Sequence, residues 1–186
     1  MSKRIVNITG QEIARRLSAL QGKSLSEIYY FDGLDDYSKP YFEYDASPER
    51  HELMWGVDLV ANDGTCVGLT WDMNGRLGEY GLFVQPGGLA EMHGKGTPRI
   101  EQTFSPQWAK IIGKPIEGFA ISKPTKLSGK IPYCDCRIDF KDGPSVWICT
   151  RCSGTGLQDC GDDCVVVFTD REARRIGIKI QESPAG

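Results

Sequence analysis

"VDLVANDGTCVGL", residues 57–69, and "CRIDFKDGPSVWI", residues 136–148, decide how this chain folds. In each, a run of β-branched and apolar residues enters an Asp-Gly pair and leaves into a second such run. That is the pattern of two antiparallel strands joined by a tight turn. Superposing the two Asp-Gly turns aligns Leu59 with Ile138, Val67 with Val146 and Leu69 with Ile148, so apolar side chains recur where a core requires them. A second block agrees: "LQGKSLSEI" (20–28) matches "IIGKPIEGF" (111–119), with Gly22-Lys23 against Gly113-Lys114. The chain therefore reads as a single domain over 1–186, built of two similar hairpin-containing halves at about 20–84 and 111–168.

Around the hairpins the pattern predicts further strands at 25–31, 55–61, 65–71, 80–84, 116–122, 133–140, 145–150 and 164–168, each bounded by Gly, Pro or Asp. "TGQEIARRLSALQG" predicts a short N-terminal helix with Thr9 as N-cap, Glu12 in the capping-box position and Gly22 as the stop. Ile13, Leu17 and Leu20 form its apolar face, and the helix is expected to act as a lid on a sheet. "GDDCVVVFTDREARRIGI" predicts a strand and then a short C-terminal helix, with Thr169 as N-cap, Glu172 three residues on and Gly177 as the stop; "IKIQE" adds a last short strand. The fold class is mainly β (α+β), with the two halves closing one sandwich or one strongly curved sheet, each covering the face the other leaves bare.

The 186 residues carry 22 basic and 25 acidic side chains, a net charge of -3. A chain of that length buries a core without cross-links, and that charge supplies no basic field for nucleic acid. The N-terminus lacks the apolar run of a signal peptide, and no segment approaches the roughly 20 apolar residues of a membrane span. A cytoplasmic protein is expected, with no membrane or nucleic-acid partner and with its seven cysteines as thiols.

Function is sought where the halves differ. Residues 28–52, "IYYFDGLDDYSKPYFEYDASPERHE", fill the long connection of the first half and hold seven of the 18 aromatic residues. Against Lys39 and Arg50 stand Asp32, Asp35, Asp36, Glu43, Asp45, Glu49 and Glu52. Aromatic side chains give contact area at small entropic cost, and carboxylates around them steer a basic partner. Tyr30, Asp32, Asp35, Asp36, Tyr37, Tyr41, Glu43, Tyr44 and Asp45 are the candidate partner-binding residues. Residues 85–105, rich in Gly and Pro, read as a loop between the halves.

The second candidate is a cysteine cluster. "CTRCSGTG" (149–156) is similar to one unit of the CxxCxGxG repeat of DnaJ-type co-chaperones, but a single unit does not make their zinc site. With Cys160 and Cys164 it forms C-x2-C-x7-C-x3-C, a spacing at which Cys149, Cys152, Cys160 and Cys164 can share a tetrahedral zinc. The alternative function is thus a zinc-stabilised protein-interaction domain; no cofactor is otherwise expected. Since the first half matches the flanking strand without cysteines, the fold does not require the metal. Cys134 and Cys136 read as core thiols. His51 and His93 sit among polar or glycine-rich neighbours and read as solvated loop residues. Cys66 or Cys152 could pair with a histidine as a nucleophile, but no spacing selects one, and no enzyme is expected.

The succession "HELMWGVDLVANDGTCVGLTWD", "EYGLFV", Trp108 followed by "IIGKPI", "CRIDFKDGPSVWI" and "GDDCVVVFTDREARRIGI" resembles a group of small bacterial proteins, uncharacterised in the main. Some belong to polymorphic toxin systems as immunity proteins. The likeness covers roughly residues 50–180 and rests on core and turn residues. It implies a β-rich binding protein that occludes the active site of a cognate toxin, a basic protein where the toxin's own target is nucleic acid.

Overall fold

The computed structural model describes residues 10–33, 39–40, 48–74, 79–93, 97–121, 125–127, 131–133, 135–151 and 163–178. Both Asp-Gly turns join antiparallel strands. β3 (Gly56–Ala61) pairs β4 (Cys66–Asn74) with Leu59 opposite Val67 and Val57 opposite Leu69. β10 (Cys136–Phe140) pairs β11 (Val146–Arg151) with Ile138 opposite Val146 and Cys136 opposite Ile148. Each hairpin gains one strand on either side. β1 (Leu25–Phe31) pairs β3 and β5 (Glu79–Pro86) pairs β4; β7 (Ile116–Ile121) pairs β10 and β12 (Asp163–Val167) pairs β11.

Two short strands complete the sheets. β2 (Arg50–Leu53) adds to β12, and β6 (Arg99–Glu101) adds to β1. The orders are β5-β4-β3-β1-β6 in sheet one and β2-β12-β11-β10-β7 in sheet two, all antiparallel, beside a ribbon of β8 (Thr125–Leu127) and β9 (Ile131–Tyr133). The fold is a mainly-β sandwich with two short terminal helices, α1 (Gly10–Leu17) and α3 (Asp170–Arg175); the single turn α2 (Ala90–His93) follows β5.

Strand alternation sends every second side chain into the space between the sheets. Ile28, Tyr30, Val57, Leu59, Val67, Leu69 and Val84 of sheet one meet Cys136, Ile138, Val146, Ile148, Cys164 and Val166 of sheet two in one buried cluster. Fully burying each large apolar side chain stabilises the fold by about 1.5–3 kcal/mol before chain entropy is counted. α1 packs against both β5 and β7, edge strands of different sheets, and inserts Ile13 and Leu17 into that cluster. From its outer face, Arg16 Nη1 donates to the Val84 carbonyl on the β5 edge (2.6 Å), while the Glu12 carboxylate accepts from Arg15 and Arg16 at 2.7 Å.

The same local contacts stand at the two Gly-Lys dipeptides. Gly22 (φ +74°) follows the 3-10 turn Ser18–Leu20, and Gly113 (φ +82°) follows the 3-10 turn Trp108–Lys110. Both need the left-handed region that glycine enters without a Cβ clash. The Gly22 N–H donates to the Ile116 carbonyl (3.0 Å) and the Gly113 N–H to the Leu25 carbonyl (2.9 Å), a reciprocal pair around the Ser24–Pro115 bridge. Each lysine then holds its own hairpin. Lys23 Nζ reaches Thr65 Oγ1 (2.6 Å) and Asp63 (2.7 Å), and Lys114 Nζ donates to the Asp142 carbonyl (2.5 Å).

Some boundaries differ from expectation. Residues 85–105, expected to be loop, contain α2 and β6; residues 133–140, expected as one strand, belong to β9 and β10. Thr169 caps α3 by accepting the Glu172 N–H (3.2 Å). The expected N-cap Thr9 and most of the expected last strand lie outside the described residues.

Candidate functional site

The first half's long connection leaves β1 in sheet one and ends in β2 of sheet two. A buried polar relay fixes both ends. Trp108 Nε1 donates to the Tyr30 hydroxyl (2.7 Å), and that hydroxyl is hydrogen-bonded to His51 Nδ1 (2.8 Å). Phe168 closes the group edge-on, with ring centroids 5.0 Å from His51 and 5.3 Å from Trp108. Burial pushes the Tyr30 phenol far up and lowers His51 to about 4, so the imidazole is neutral.

His51 is therefore not the solvated loop residue expected from its neighbours. β2 alternates Arg50 and Glu52 on one face with His51 and Leu53 on the other, and the inward pair is buried. His93 falls in α2, and its side chain lies outside the described residues.

Two of the expected partner-binding residues are structural. Tyr30 is the centre of the relay. Asp32 is equally buried: its Oδ1 accepts the Met54 N–H (2.8 Å), and its own N–H donates to the Pro98 carbonyl (3.4 Å). Neither side chain offers surface to a partner, a correction that follows from the alternation of β1, which turns Ile28 and Tyr30 inward. Asp35, Asp36, Tyr37, Tyr41, Glu43, Tyr44 and Asp45 lie outside the described residues.

At the C-terminal end of the connection, carboxylates meet arginines. Glu49 pairs with Arg171, Arg50 with Glu52 (2.9 Å) and Glu172 (3.3 Å), and Arg175 with Glu172 (2.6 Å). The Arg175 guanidinium holds the Glu172 carboxyl below its ordinary value. Pro48, Glu49, Arg171, Glu172 and Arg175 line an open groove of about 530 Å3. Arg171 is 81% exposed and Arg175 62%, so solvent weakens these pairs and leaves them exchangeable.

The outer face of sheet one holds a group that the sequence reading missed. Leu89 is buried against Gly56 and Gly68: an added Cβ would lie 2.8 Å and 2.5 Å from its methyl carbons. Beside it the buried Asp58 accepts the Leu89 N–H on Oδ1 (2.8 Å) and also takes a hydrogen bond from the Cys66 thiol. Burial raises the Asp58 carboxyl, opposed by the Leu89 N–H. Burial together with the Asp58 charge pushes the Cys66 thiol up to about 11, away from a reactive thiolate. Nearby, Arg99 lies 3.5 Å above the Tyr29 ring. The available signal was a carboxylate in the midst of "VDLVA" facing two glycines in "CVGL" and the "GGL" after β5.

The proposed thiolate set does not converge. Cys149 sits opposite Val165 and packs with Trp147, Val167, Ala173 and Ile176 under α3; Cys164 sits opposite Thr150 and faces the core between the sheets. The two sulfurs thus lie on opposite faces of one ladder. They are buried near the Val165 and Leu69 carbonyls respectively, each at 3.8 Å. One zinc would need all its sulfurs at about 2.3 Å, which Cys149 and Cys164 together do not allow. Cys152, Cys160 and Cys134 lie outside the described residues. Among the described residues no group of three or more His, Cys, Asp and Glu side chains could hold a metal ion, and Cys66, Cys136, Cys149 and Cys164 form no disulfide.

No protein-family model matches the chain, and no curated protein or solved structure matches it significantly. Among the described residues no helix is long and apolar enough to cross a membrane.

Proposed function

We propose that the protein is a non-enzymatic binding protein of the cytoplasm that neutralises a cognate bacterial toxin, as do some of the proteins its motifs resemble, and that the connection between β1 and β2 is its contact surface. The observation that carries this reading is the Trp108–Tyr30–His51 relay. It anchors both ends of an acidic, aromatic segment in the rigid core, so the segment is held in place at both ends and loses less entropy on binding. The chemistry of the described residues supports the same reading. His51 is neutral and committed to Tyr30, and Cys66 and Cys164 are held as thiols by burial.

Asp35, Asp36, Glu43 and Asp45 supply the negative charge for a basic partner, with Tyr37, Tyr41 and Tyr44 as contact area. Glu49, Arg171 and Arg175 border the segment's C-terminal end and can exchange their ion pairs for intermolecular ones. The test is co-purification with the product of the adjacent upstream gene, followed by co-expression of both in growing cells. The expected result is a stable complex and rescued growth. Replacing Asp35, Asp36, Glu43 and Asp45 together by lysine should weaken binding at least about 100-fold at unchanged thermal stability. If no partner is retained and the neighbouring product is harmless alone, the reading fails.

A further inference from the structure

The outward side of β6 is a sheet edge whose chemistry matches itself. Within sheet one, Pro98, Ile100 and Gln102 turn their backbone groups toward β1. The Pro98 carbonyl accepts the Asp32 N–H, Ile100 stands opposite Tyr30, and the Gln102 N–H donates to the Ile28 carbonyl (2.8 Å). By strand alternation the N–H and C=O of Arg99 and Glu101 point away from the sheet. Among the described residues nothing accepts or donates to them. On two other edges side chains already reach the backbone: Arg16 takes the Val84 carbonyl of β5, and Gln21 Nε2 donates to the Glu117 carbonyl of β7 (2.5 Å).

We propose that β6 is the docking edge for a second copy of this chain, pairing antiparallel about a two-fold axis at Ile100. In that register Arg99 of one copy stands opposite Glu101 of the other, twice. Those are the residues whose backbone groups face outward, so each Arg99–Glu101 pair exchanges two backbone hydrogen bonds. Both side chains lie on the outer face, where opposite charges directly across a ladder attract. Arg99 is already ordered against Tyr29, which lowers the entropy its ion pair must overcome. Ile100, half-buried and packed against the core, meets its own copy on the inner face. The two five-stranded sheets would become one ten-stranded sheet. This surface is separate from the β1–β2 connection, and its test needs no toxin.

Three residues per copy make a small interface, so a dissociation constant on the order of 100 µM is expected. Sedimentation of the intact chain from about 10 µM to about 1 mM should show monomer–dimer exchange. Arg99→Glu and Glu101→Arg should each weaken it at least about 10-fold, and the double variant, which restores opposite charges, should recover most of the loss. Glu101→Pro removes one outward N–H without touching the β1 ladder and should also weaken it. Hydrogen exchange at the Arg99 and Glu101 amides should slow with wild-type concentration. A chain that stays monomeric at about 1 mM overturns the proposal. So does association indifferent to all three single changes, or a double variant weaker than either charge reversal.

Discussion

The two sheets share their hairpins, their Gly-Lys anchors and their inner faces, yet their outer faces are covered in opposite ways. In sheet two, Trp147 and Cys149 of β11 lie with Val165 and Val167 beneath α3, and Trp147 Nε1 donates to Asp170 Oδ1 (3.0 Å) at the start of that helix. In sheet one, the residues matched to Trp147 and Cys149 are Gly68 and Thr70. There Leu89 is lowered into the space the glycines leave. The inner positions must fill one shared core, which constrains both halves alike. Each outer face answers only to its own cover, so that is where the halves could diverge and where polar groups such as Asp58 could be retained.

The sharpest way to break the comparison is to give sheet one a side chain it has no room for. A Cβ on Gly56 would lie 2.3 Å from the Leu69 carbonyl oxygen and 3.1 Å from the Thr70 Cα, both backbone atoms of the paired strand. Relief requires β3 and β4 to part. Gly56→Ala should therefore cost about 4 kcal/mol in urea unfolding. Gly118 of β7 in sheet two has nothing within 4 Å of its Cβ position, and Gly118→Ala should change stability by no more than about 0.5 kcal/mol. Equal losses would mean that β4 does not close tightly on Gly56.

The relay is the second asymmetry. Leu17 and Trp108 stand five residues before Gly22 and Gly113, and Tyr30 and Ile121 eight residues after them; only the first-half strand and the second-half turn carry polar groups, and they meet each other. Protonating His51 places a charge in the core. With the folded value near 4 and the ordinary value 6.5, the unfolded chain binds the proton first as pH falls. The associated stability is fully present above pH 6.5 and is lost from there down to about 4, about 3 kcal/mol in all. Denaturant midpoints should fall between pH 7 and 5, a window above the ordinary titration of carboxylates, and His51→Gln should flatten that slope. A slope that survives the substitution would assign the acid sensitivity elsewhere.

The same contrast explains what could be read from residue order. The hairpins were legible because Asp-Gly turns and alternating apolar residues are local signals, and the paired Gly-Lys blocks located the strands that precede them. β2 and β6 were not, since "RHEL" and "RIE" are short and largely charged and gain strand character only from β12 and β1, far away in sequence. His51 was hidden by Arg50 and Glu52, although its alternation with Leu53 was present. Tyr30 and Asp32 shared the composition of a binding segment, and only their place at the end of β1 separates anchor from surface. The cysteine spacing suggested one site because C-x2-C counts residues along the chain, whereas the β11–β12 ladder turns Cys149 and Cys164 to opposite faces.

The smallest effect tests whether the cover of sheet two is joined to the connection it borders. Thr169 accepts the Glu172 N–H at the start of α3 and donates to Glu49 Oε2 (3.3 Å), so one hydroxyl caps the helix and touches the end of the β1–β2 segment. Thr169→Ala removes the cap and should cost about 1 kcal/mol by thermal or urea unfolding, with Thr169→Ser restoring most of it. α3 covers Trp147, Cys149, Val165 and Val167, so amide exchange in β11 and β12 should quicken in the alanine variant while β3 and β4 stay protected. Faster exchange in both sheets would mean that the two covers are not independent, and the division between a constrained interior and separately covered outer faces would have to be withdrawn.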